Sequence, residues 1–308
     1  MVNRNRPRSD FTEEDSPCSF CKVLISGVSQ GCIYGLIALG FVLIYTATEA
    51  VNFAQGELMM LGAFCGLAAS SYFGLPYWMV LLVALSVLAG FGYLTERLVL
   101  RPILGQPAFA IVMVTIGIGY TARGLITMIP GIGTDTHTLA VPFKDQVLRM
   151  GGLIIGMEHV VIIATSIVLC GALFFLFRFT RVGIAMQAAS QNQLAAYYMG
   201  IPVKRLNGLI WATSAAVAAV AGILLAPITF VHVNMGFIGL KAFPAAVIGG
   251  FESLPGAIVG GLIIGIVESL AGFYLPEGFK DVAAYVVVLV MLMVKPNGLF
   301  GESIRKRV

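Results

Sequence analysis

The stretch VLISGVSQGCIYGLIALGFVLIY (Val23–Tyr45) carries no charged side chain and is long enough to cross a lipid bilayer. A helix needs about 20 apolar residues to cross a hydrocarbon core of roughly 30 Å. The whole chain has the same character, because 58% of its 308 residues are hydrophobic and only 11% are charged. Ordinary soluble domains are roughly 25% charged. The composition therefore predicts a protein whose solvent is lipid.

Further uncharged runs predict the other membrane segments. The run Leu58–Leu94 divides in two at FGLPYW (Phe73–Trp78), because glycine and proline between aromatic residues are typical of a turn at the membrane interface. The remaining candidates are Ala108–Ile129, Val160–Phe177, Leu206–Pro227, Gly256–Leu275 and Val282–Val294, with a short apolar piece at Ala242–Phe251. No alternating strands typical of a membrane barrel are visible. We predict an all-α polytopic membrane protein of about eight transmembrane helices, some of them broken or re-entrant.

The basic residues predict which loops face the cytoplasm, where membrane proteins retain Lys and Arg. The loops assigned to the inside carry Arg97, Arg101, Arg178, Arg181, Lys204 and Arg205, and the C-terminus carries Arg305, Lys306 and Arg307. The stretch Pro130–Met157 is expected to be the largest outside loop. An inside N-terminus would need an even number of crossings before Arg97, whereas three segments are visible. Either one of these is broken or re-entrant, or the N-terminus lies outside.

These assignments divide the chain into three parts. Residues 1–22 are polar and are predicted to be a flexible tail, residues 23–301 form a single membrane domain, and residues 302–308 form a basic cytoplasmic tail.

The sequence holds none of the common catalytic or phosphate-binding motifs. The three histidines are scattered, and neither G-x-S-x-G nor a phosphate-binding G-x-x-x-x-G-K-[ST] loop occurs. Cys18 and Cys21 lack the second pair that a structural zinc site needs. The N-terminal tail carries acidic residues beside its three arginines, which does not indicate nucleic-acid binding. We expect no enzyme activity, metal or cofactor, and any ATP-driven work must be done by a partner.

Glycines recur at every fourth position in several segments. The repeats predicted to pack helices are Gly27, Gly31 and Gly35, and Gly256 with Gly260. Small residues at this spacing leave a groove in which another backbone can approach closely. They predict a tightly packed bundle, or smooth helix faces that slide.

Two segments are interrupted by polar residues, glycine or proline. VNFAQGELMM (Val51–Met60) contains Asn52, Gln55, Gly56 and Glu57, and KAFPAAVIGGFESLPG (Lys241–Gly256) frames a short apolar piece. Broken segments in the two halves of a transporter point to its substrate site. The polar side chains are expected to line the path or to cap a half-helix; the alternative is a surface loop at the headgroup level.

Two ionisable residues lie within predicted spans. Glu268 lies well inside the span that starts near Gly256, where an ionisable group faces the bundle interior or an aqueous path by default. A structural role, in which it pairs with a hydroxyl or amide or stays protonated, is the alternative. Arg123 lies near a span end, and its side chain is expected to extend to the interface.

The loop from about residue 183 to 202 is too polar to span the membrane. Its Ala-rich first part predicts a short helix on the inner surface, and MGIP (Met199–Pro202) predicts a stop. A surface helix of this kind would suit a cytoplasmic motor.

Three separated motifs resemble the LivH-type permease subunit of bacterial branched-chain amino acid ABC importers. They are GCIYGLIALGFVLIYTATEAVNFAQGELMMLGAF, AASQNQLAAYYMGI and AVIGGFESLPGAIVGGLIIGIVES, and the similarity runs from about Lys22 to Gly301. The resemblance implies an inner-membrane permease that pairs with a second, similar permease. It also implies two ATP-binding subunits and a periplasmic binding protein for branched-chain amino acids. A permease for urea or short amides, or an autonomous secondary carrier, remains the alternative.

The resemblance also implies roles for individual residues. Asn52, Gly56 and Glu57 match the family's N-F-A-x-G-E motif, with Gln55 where many members have His. Ala188, Ala189 and Gly200 match the loop motif that docks on the ATP-binding subunit. Glu268 stands at the family's recurrent acidic position.

Overall fold

The computed structural model describes residues 17–103, 105–144, 146–150, 153–276 and 278–301. The predicted basic tail (302–308) and residues 1–16 of the predicted N-terminal tail lie outside these residues. The α-helices are α1 (Pro17–Thr48), α2 (Gln55–Phe73), α3 (Tyr77–Thr95), α4 (Ala108–Thr127), α5 (Met157–Phe179), α6 (Arg181–Gln191), α7 (Gln193–Tyr198), α8 (Val203–Thr229), α9 (Gly236–Lys241), α10 (Phe243–Gly249), α11 (Leu254–Tyr274) and α12 (Phe279–Val294). A π-helix at Glu96–Leu100 and a 3₁₀-helix at Arg101–Ile103 follow α3, and a second 3₁₀-helix at Val233–Met235 precedes α9.

The predicted polytopic helical membrane fold is confirmed. In the described part of the chain, 6 helices are long and apolar enough to cross a membrane, and they correspond to α1, α3, α4, α5, α8 and α11. The shorter helices α2 and α12, of 19 and 16 residues, bring the number close to the predicted eight. The turn predicted at Phe73–Trp78 separates α2 from α3, with Gly74 in the left-handed conformation at φ 60°.

The first helix and the long loop differ from the sequence-based expectation. Helix α1 begins at Pro17, so residues 17–22 are helical and do not belong to a flexible tail. The loop Pro130–Met157 contains a two-stranded antiparallel hairpin, β1 (Val147–Met150) and β2 (Leu153–Gly156), in which Leu148 pairs with Ile155. Two strands of four residues are too short to produce a recognisable alternating pattern.

Helices α1 and α11 pack through their glycine faces, as the glycine spacing predicted. A Cβ on Gly31 would lie 2.8 Å from the Cα of Leu262 and 3.0 Å from the carbonyl oxygen of Gly261. Gly27 faces Ile266 one turn away. Gly260, on another face of α11, packs on the backbone of α10 at Ala245. Close backbone approach of this kind is the packing mode expected in lipid.

The contacts of helix α1 show which elements lie at each end of the bundle. Near its C-terminal end the carbonyl oxygen of Ala47 accepts a hydrogen bond from Gln193 Nε2 at 2.7 Å, which places this end beside α7. Towards its N-terminal end, Ser29 Oγ lies 3.0 Å from His159 Nδ1 in the first turn of α5. The N-terminal end of α1 therefore lies at the end of the bundle opposite α6 and α7.

The two interrupted segments meet inside the bundle. Helix α2 begins at Gln55, which lies beside Ser214 near the middle of α8, so residues 49–54 lead back into the bundle. Gly56 packs on the backbone of α9 at Gly236 and Gly239, since a Cβ at Gly56 or at Gly239 would overlap the opposite main chain. Pro244 at the start of α10 separates it from α9, and α10 ends before Gly250, whose φ of 95° favours glycine.

The predicted surface helix consists of two short helices. Thr180 Oγ1 caps α6 by accepting a hydrogen bond from the Gly183 N–H at 3.0 Å, and Asn192 Oδ1 caps α7 in the same way from Ala195 at 2.9 Å. Gly200, at φ 80°, lies directly after α7 as the predicted stop. The polar SQNQ stretch is therefore the junction between two helices.

Candidate functional site

A buried polar network surrounds the start of α2. Asn52 and Gln55 are both 0% exposed. Gln55 Oε1 accepts hydrogen bonds from Asn52 Nδ2 at 3.3 Å and from Ser214 Oγ at 3.1 Å, and Gln55 Nε2 donates to the Ser214 carbonyl at 3.4 Å. The Ser214 hydroxyl also lies 2.9 Å from the carbonyl oxygen of Gly40 on α1. The network therefore joins α1, α2 and α8, and neither amide lies in a headgroup-level surface loop.

Glu57 forms an ion pair with Arg123. Arg123 Nη2 contacts Glu57 Oε1, and Arg123 Nε donates to Oε2 at 3.4 Å; each side chain is 14% exposed. The guanidinium carbon lies 4.0 Å from the centre of the Phe237 ring. A carboxylate and an aromatic face of this chain therefore hold the Arg123 side chain, whereas the sequence predicted only that it extends to the interface.

Glu268 is buried and paired with a hydroxyl, an amide and a lysine. It is 0% exposed, and its Oε2 accepts hydrogen bonds from Tyr34 Oη at 2.6 Å and from Gln30 Nε2 at 3.4 Å. Lys241 Nζ lies 3.3 Å from Glu268 Oε1 and also contacts the exposed Asp281. Glu268 therefore faces the bundle interior with a hydroxyl, an amide and a cation around it.

Helix α9 links the two acidic sites. A Cβ on Gly236, the first residue of α9, would overlap the Glu57 carboxylate, so the two are in close contact. Lys241, the last residue of α9, reaches Glu268. The two acidic residues thus lie against opposite ends of one short helix.

Sequence reasoning missed the cationic partners, although a signal for both was present. Arg123 is the only charged residue between Arg101 and Asp135, and Lys241 is the only one between Arg205 and Glu252. A lone cation in a membrane-length run pairs with a carboxylate or lines a polar cavity by default. That rule identifies both residues, but it does not say which carboxylate each one meets.

Of the three residues that the family resemblance assigns to docking on the ATP-binding subunit, two lie at the surface and one lies in the interior. Ala188 and Gly200 are exposed, whereas Ala189 is only 5% exposed and packs inward. Large apolar side chains lie exposed around them on α6, α7 and the turn that follows: Ile184, Leu194, Tyr197, Tyr198 and Met199. We call this set the α6–α7 surface.

Known proteins resemble nearly the whole chain. The family model for the branched-chain amino acid transport system permease component matches residues 23–295. The high-affinity branched-chain amino acid permease LivH of Escherichia coli (strain K12) is 31% identical over 300 residues, which are 92% of this chain and 96% of the relative. The permease BraD of Pseudomonas aeruginosa is 30% identical with the same coverage.

A solved structure supports the fold. PsaBC from Streptococcus pneumoniae, determined in complex with Fab, superposes with a TM-score of 0.50 at 15% identity and covers 93% of this chain and 95% of its own. The relatives matched by sequence are transport permeases and not enzymes. Together with its membrane-length helices, the sequence match shows that this chain is a multi-pass membrane protein of the branched-chain amino acid transport system permease family.

Proposed function

We propose that this chain is one permease subunit of an ATP-driven importer for branched-chain amino acids in the bacterial inner membrane. It pairs with a second, homologous permease, and the two subunits enclose the path between them. Two ATP-binding subunits on the cytoplasmic side supply the energy, and a periplasmic binding protein delivers the cargo. The choice of substrate is supported by the relatives LivH and BraD, which are named as branched-chain amino acid permeases.

The observation that carries the proposal is the α6–α7 surface. Two short helices stand between the membrane-length helices α5 and α8 and expose large apolar side chains, with Tyr198 81% and Met199 82% exposed. An exposed apolar patch of this kind is typical of a protein interface. ATP-binding subunits would cover it, with Ala188 and Gly200 at the contact and Ala189 supporting α6 from below.

The distribution of basic residues supports an orientation. Arg178, Arg181, Lys204 and Arg205 flank α6 and α7, and Arg101 Nη2 donates to the Lys204 carbonyl at 3.0 Å. The same end therefore holds the segment that carries Arg97 and Arg101, and the positive-inside rule favours a cytoplasmic location for it. The β1–β2 hairpin and the N-terminal end of α1 then face the periplasm.

The C-terminal part of the described chain supports a cytoplasmic C-terminus. The Leu299 N–H donates to the Ile248 carbonyl at 2.7 Å, at the end of α10. Helix α11 starts nearby and runs antiparallel to α1, with Ile258 against Gly35. This end of the bundle is the one that carries α6 and α7.

Transport proceeds by alternating access in this proposal. Closure of the motors acts on the helices through α6 and α7, and it shifts the equilibrium only because the motors bind the two states with different affinity. Apolar helix faces hold the side chain of the substrate, and the junction of α2 with α9 meets its charged groups. Asn52, Gln55 and Gly56 fix the start of α2, while Glu57 and Glu268 supply the charged positions along the path.

The test is ATP hydrolysis by this chain assembled with its partner subunits in liposomes. The expected result is stimulation by leucine, isoleucine or valine with the matching binding protein, and none by urea. Stimulation by urea and by none of the three amino acids would show that the cargo is urea, while the assignment to an ATP-driven importer would stand.

A secondary carrier is the second candidate function. The observation in its favour is the pair of carboxylates, Glu57 and Glu268, in the membrane domain. Such a carrier would transport without partner subunits and would respond to a proton gradient.

A further inference from the structure

The Glu57–Arg123 pair is assembled from three separate elements. Glu57 lies in the first turn of α2, Arg123 near the end of α4, and Phe237 in the first turn of α9. The centre of the Tyr120 ring lies 5.9 Å from the Arg123 guanidinium. Tyr120 is 66% and Phe237 48% exposed. The pair, whose side chains are each 14% exposed, is therefore flanked by two aromatic rings that are themselves partly exposed.

Helix α4 packs closely against α2 beside the ion pair. A Cβ on Gly119 would lie 3.0 Å from Glu57 Cγ, so α4 approaches α2 closely at this point. Thr115, one turn earlier, accepts a hydrogen bond from the Phe53 N–H at 3.2 Å. Helix α4 is thus fastened to the interrupted segment before α2 at the level of the ion pair. This contact positions Arg123 over Glu57.

An ion pair in a membrane-spanning bundle is costly to keep. Moving two charges out of water costs several kcal/mol for each ion, and apolar residues of the same volume often stabilise a protein as well or better. Ionisable groups retained at such depth by default mark a substrate or ion path. The Glu268 cluster differs, because a hydroxyl, an amide and a lysine already surround its carboxylate. The Glu57–Arg123 pair instead has two partly exposed aromatic rings beside it, and each of its side chains keeps 14% of its surface exposed.

The chemistry of the pair complements one class of ligand. An α-amino acid carries a carboxylate and an ammonium group on the same carbon atom. A guanidinium binds a carboxylate through two parallel hydrogen bonds. A carboxylate such as that of Glu57 accepts from an ammonium, and aromatic faces attract the same cation. A neutral cargo such as urea or a sugar carries neither charge, so it offers nothing that would replace the ion pair between Glu57 and Arg123.

We infer that Glu57 and Arg123 form the contact that binds the charged backbone of the amino acid as it passes this subunit. Arg123 takes the α-carboxylate, and Glu57 takes the α-ammonium with Phe237 and Tyr120 beside it. Without substrate the two side chains neutralise each other, as in this structure; with substrate, one ion pair is exchanged for two. This inference rests on the proposed function and adds to it a residue, Arg123, and a rule for the choice of cargo.

The experiment measures leucine uptake into liposomes that contain the complete transporter, at saturating binding protein. The variants are Glu57→Gln, Arg123→Gln and the double substitution, and the matched control is Arg97→Gln, which removes an exposed arginine of the inner π-helix. Each single variant should lower the maximal uptake rate about tenfold to a hundredfold, the worth of one charge-assisted hydrogen bond. The control should transport like the unmodified assembly.

The double variant separates substrate binding from a structural ion pair. It holds no unpaired charge, so a pair that only stabilises the fold would recover in the double variant. Recovery of uptake to within about threefold of the unmodified rate, a difference well below the one expected for a lost charge-assisted contact, would overturn the inference. Uptake that stays as low as in the single variants, in an assembly whose melting temperature is unchanged, supports it.

The same experiment separates this inference from the proposed function. An unmodified assembly that neither hydrolyses ATP in response to leucine nor takes it up contradicts the proposed function. An unmodified assembly that transports leucine, together with single variants that transport it equally well, contradicts the inference alone. Arg123→Lys keeps the charge but loses the bidentate geometry, and its uptake should fall between those of the unmodified protein and Arg123→Gln.

Discussion

Substitution of Gly31 by alanine should destabilise the bundle, although alanine is the better helix former. The added Cβ would lie 2.8 Å from the Cα of Leu262 and 3.0 Å from the Gly261 carbonyl oxygen. Both neighbours are backbone atoms, so no side-chain rotation can relieve the contact. Helices α1 and α11 must move apart along the seam where they pack most closely.

The size of the effect follows from two opposing contributions. Overpacking a tight contact costs about 1–3 kcal/mol, and replacing glycine by alanine inside a helix returns up to about 1 kcal/mol. A net loss of about 1–2 kcal/mol should lower the melting temperature by roughly 1.5–3 °C in a chain of this size.

Alanine substitutions at the three glycines of α1 should destabilise the bundle to different degrees. The shortest Cβ contact is 2.8 Å at Gly31, 3.0 Å at Gly27 and 3.4 Å at Gly35, which is ordinary van der Waals contact. The melting temperature in detergent micelles should therefore fall most for Gly31→Ala, less for Gly27→Ala and hardly at all for Gly35→Ala. Gly117→Ala on α4, where nothing lies within 4 Å, is the matched control. A Gly31→Ala variant that melts at or above the unmodified protein would refute the packing argument.

Three further predictions concern the buried networks and the α6–α7 surface. Lys241→Met should destabilise the fold by about 3 kcal/mol because it leaves Glu268 buried without its cation. Adding Glu268→Gln should restore most of the lost stability in the same melting assay. If the second substitution restores none of it, the pairing of Lys241 with Glu268 is contradicted. Ser214→Ala should cost about 1–3 kcal/mol by removing a donor from the buried amide network. Thr213→Ala next to it, at a partly exposed position outside the network, should change the melting temperature little. Equal effects of the two substitutions would argue against the network. Tyr198→Asp should reduce co-purification of the ATP-binding subunits about tenfold, since a charge in an apolar contact costs more than about 1.4 kcal/mol. The melting temperature of this chain should stay unchanged. Undiminished co-purification would mean that the ATP-binding subunits dock on another surface.

Hydropathy was sufficient to predict the long helices because lipid leaves the backbone little choice. Apart from α1, which begins at Pro17 and not at Val23, the uncharged runs of membrane length became helices within a few residues of their expected ends, as with Ala108–Ile129 and α4 (Ala108–Thr127). The glycine repeats identified a packing face on α1 because only small residues permit such close approach. The interrupted segments were recognisable from Gly56 and Pro244, which break an otherwise apolar pattern.

Contacts between distant parts of the chain could not be predicted in the same way. That Glu57 meets Arg123 depends on how α4 packs against α2, and nothing in either segment records that packing. Lys241 was visible as a lone cation, but its partner Glu268 lies on another helix. The orientation of Ala189 was also beyond a motif comparison, because a matched alanine can lie on either face of a surface helix. Its burial follows only from the packing of α6.

We propose that this chain moves branched-chain amino acids only as part of an ATP-driven assembly. The most direct measurement is uptake of labelled leucine into liposomes, comparing this chain alone with the complete set of permeases, ATP-binding subunits and binding protein, with and without ATP. We expect uptake only by the complete set with ATP, and none by the chain alone under a proton gradient. Uptake by the chain alone, driven by the gradient, would contradict it.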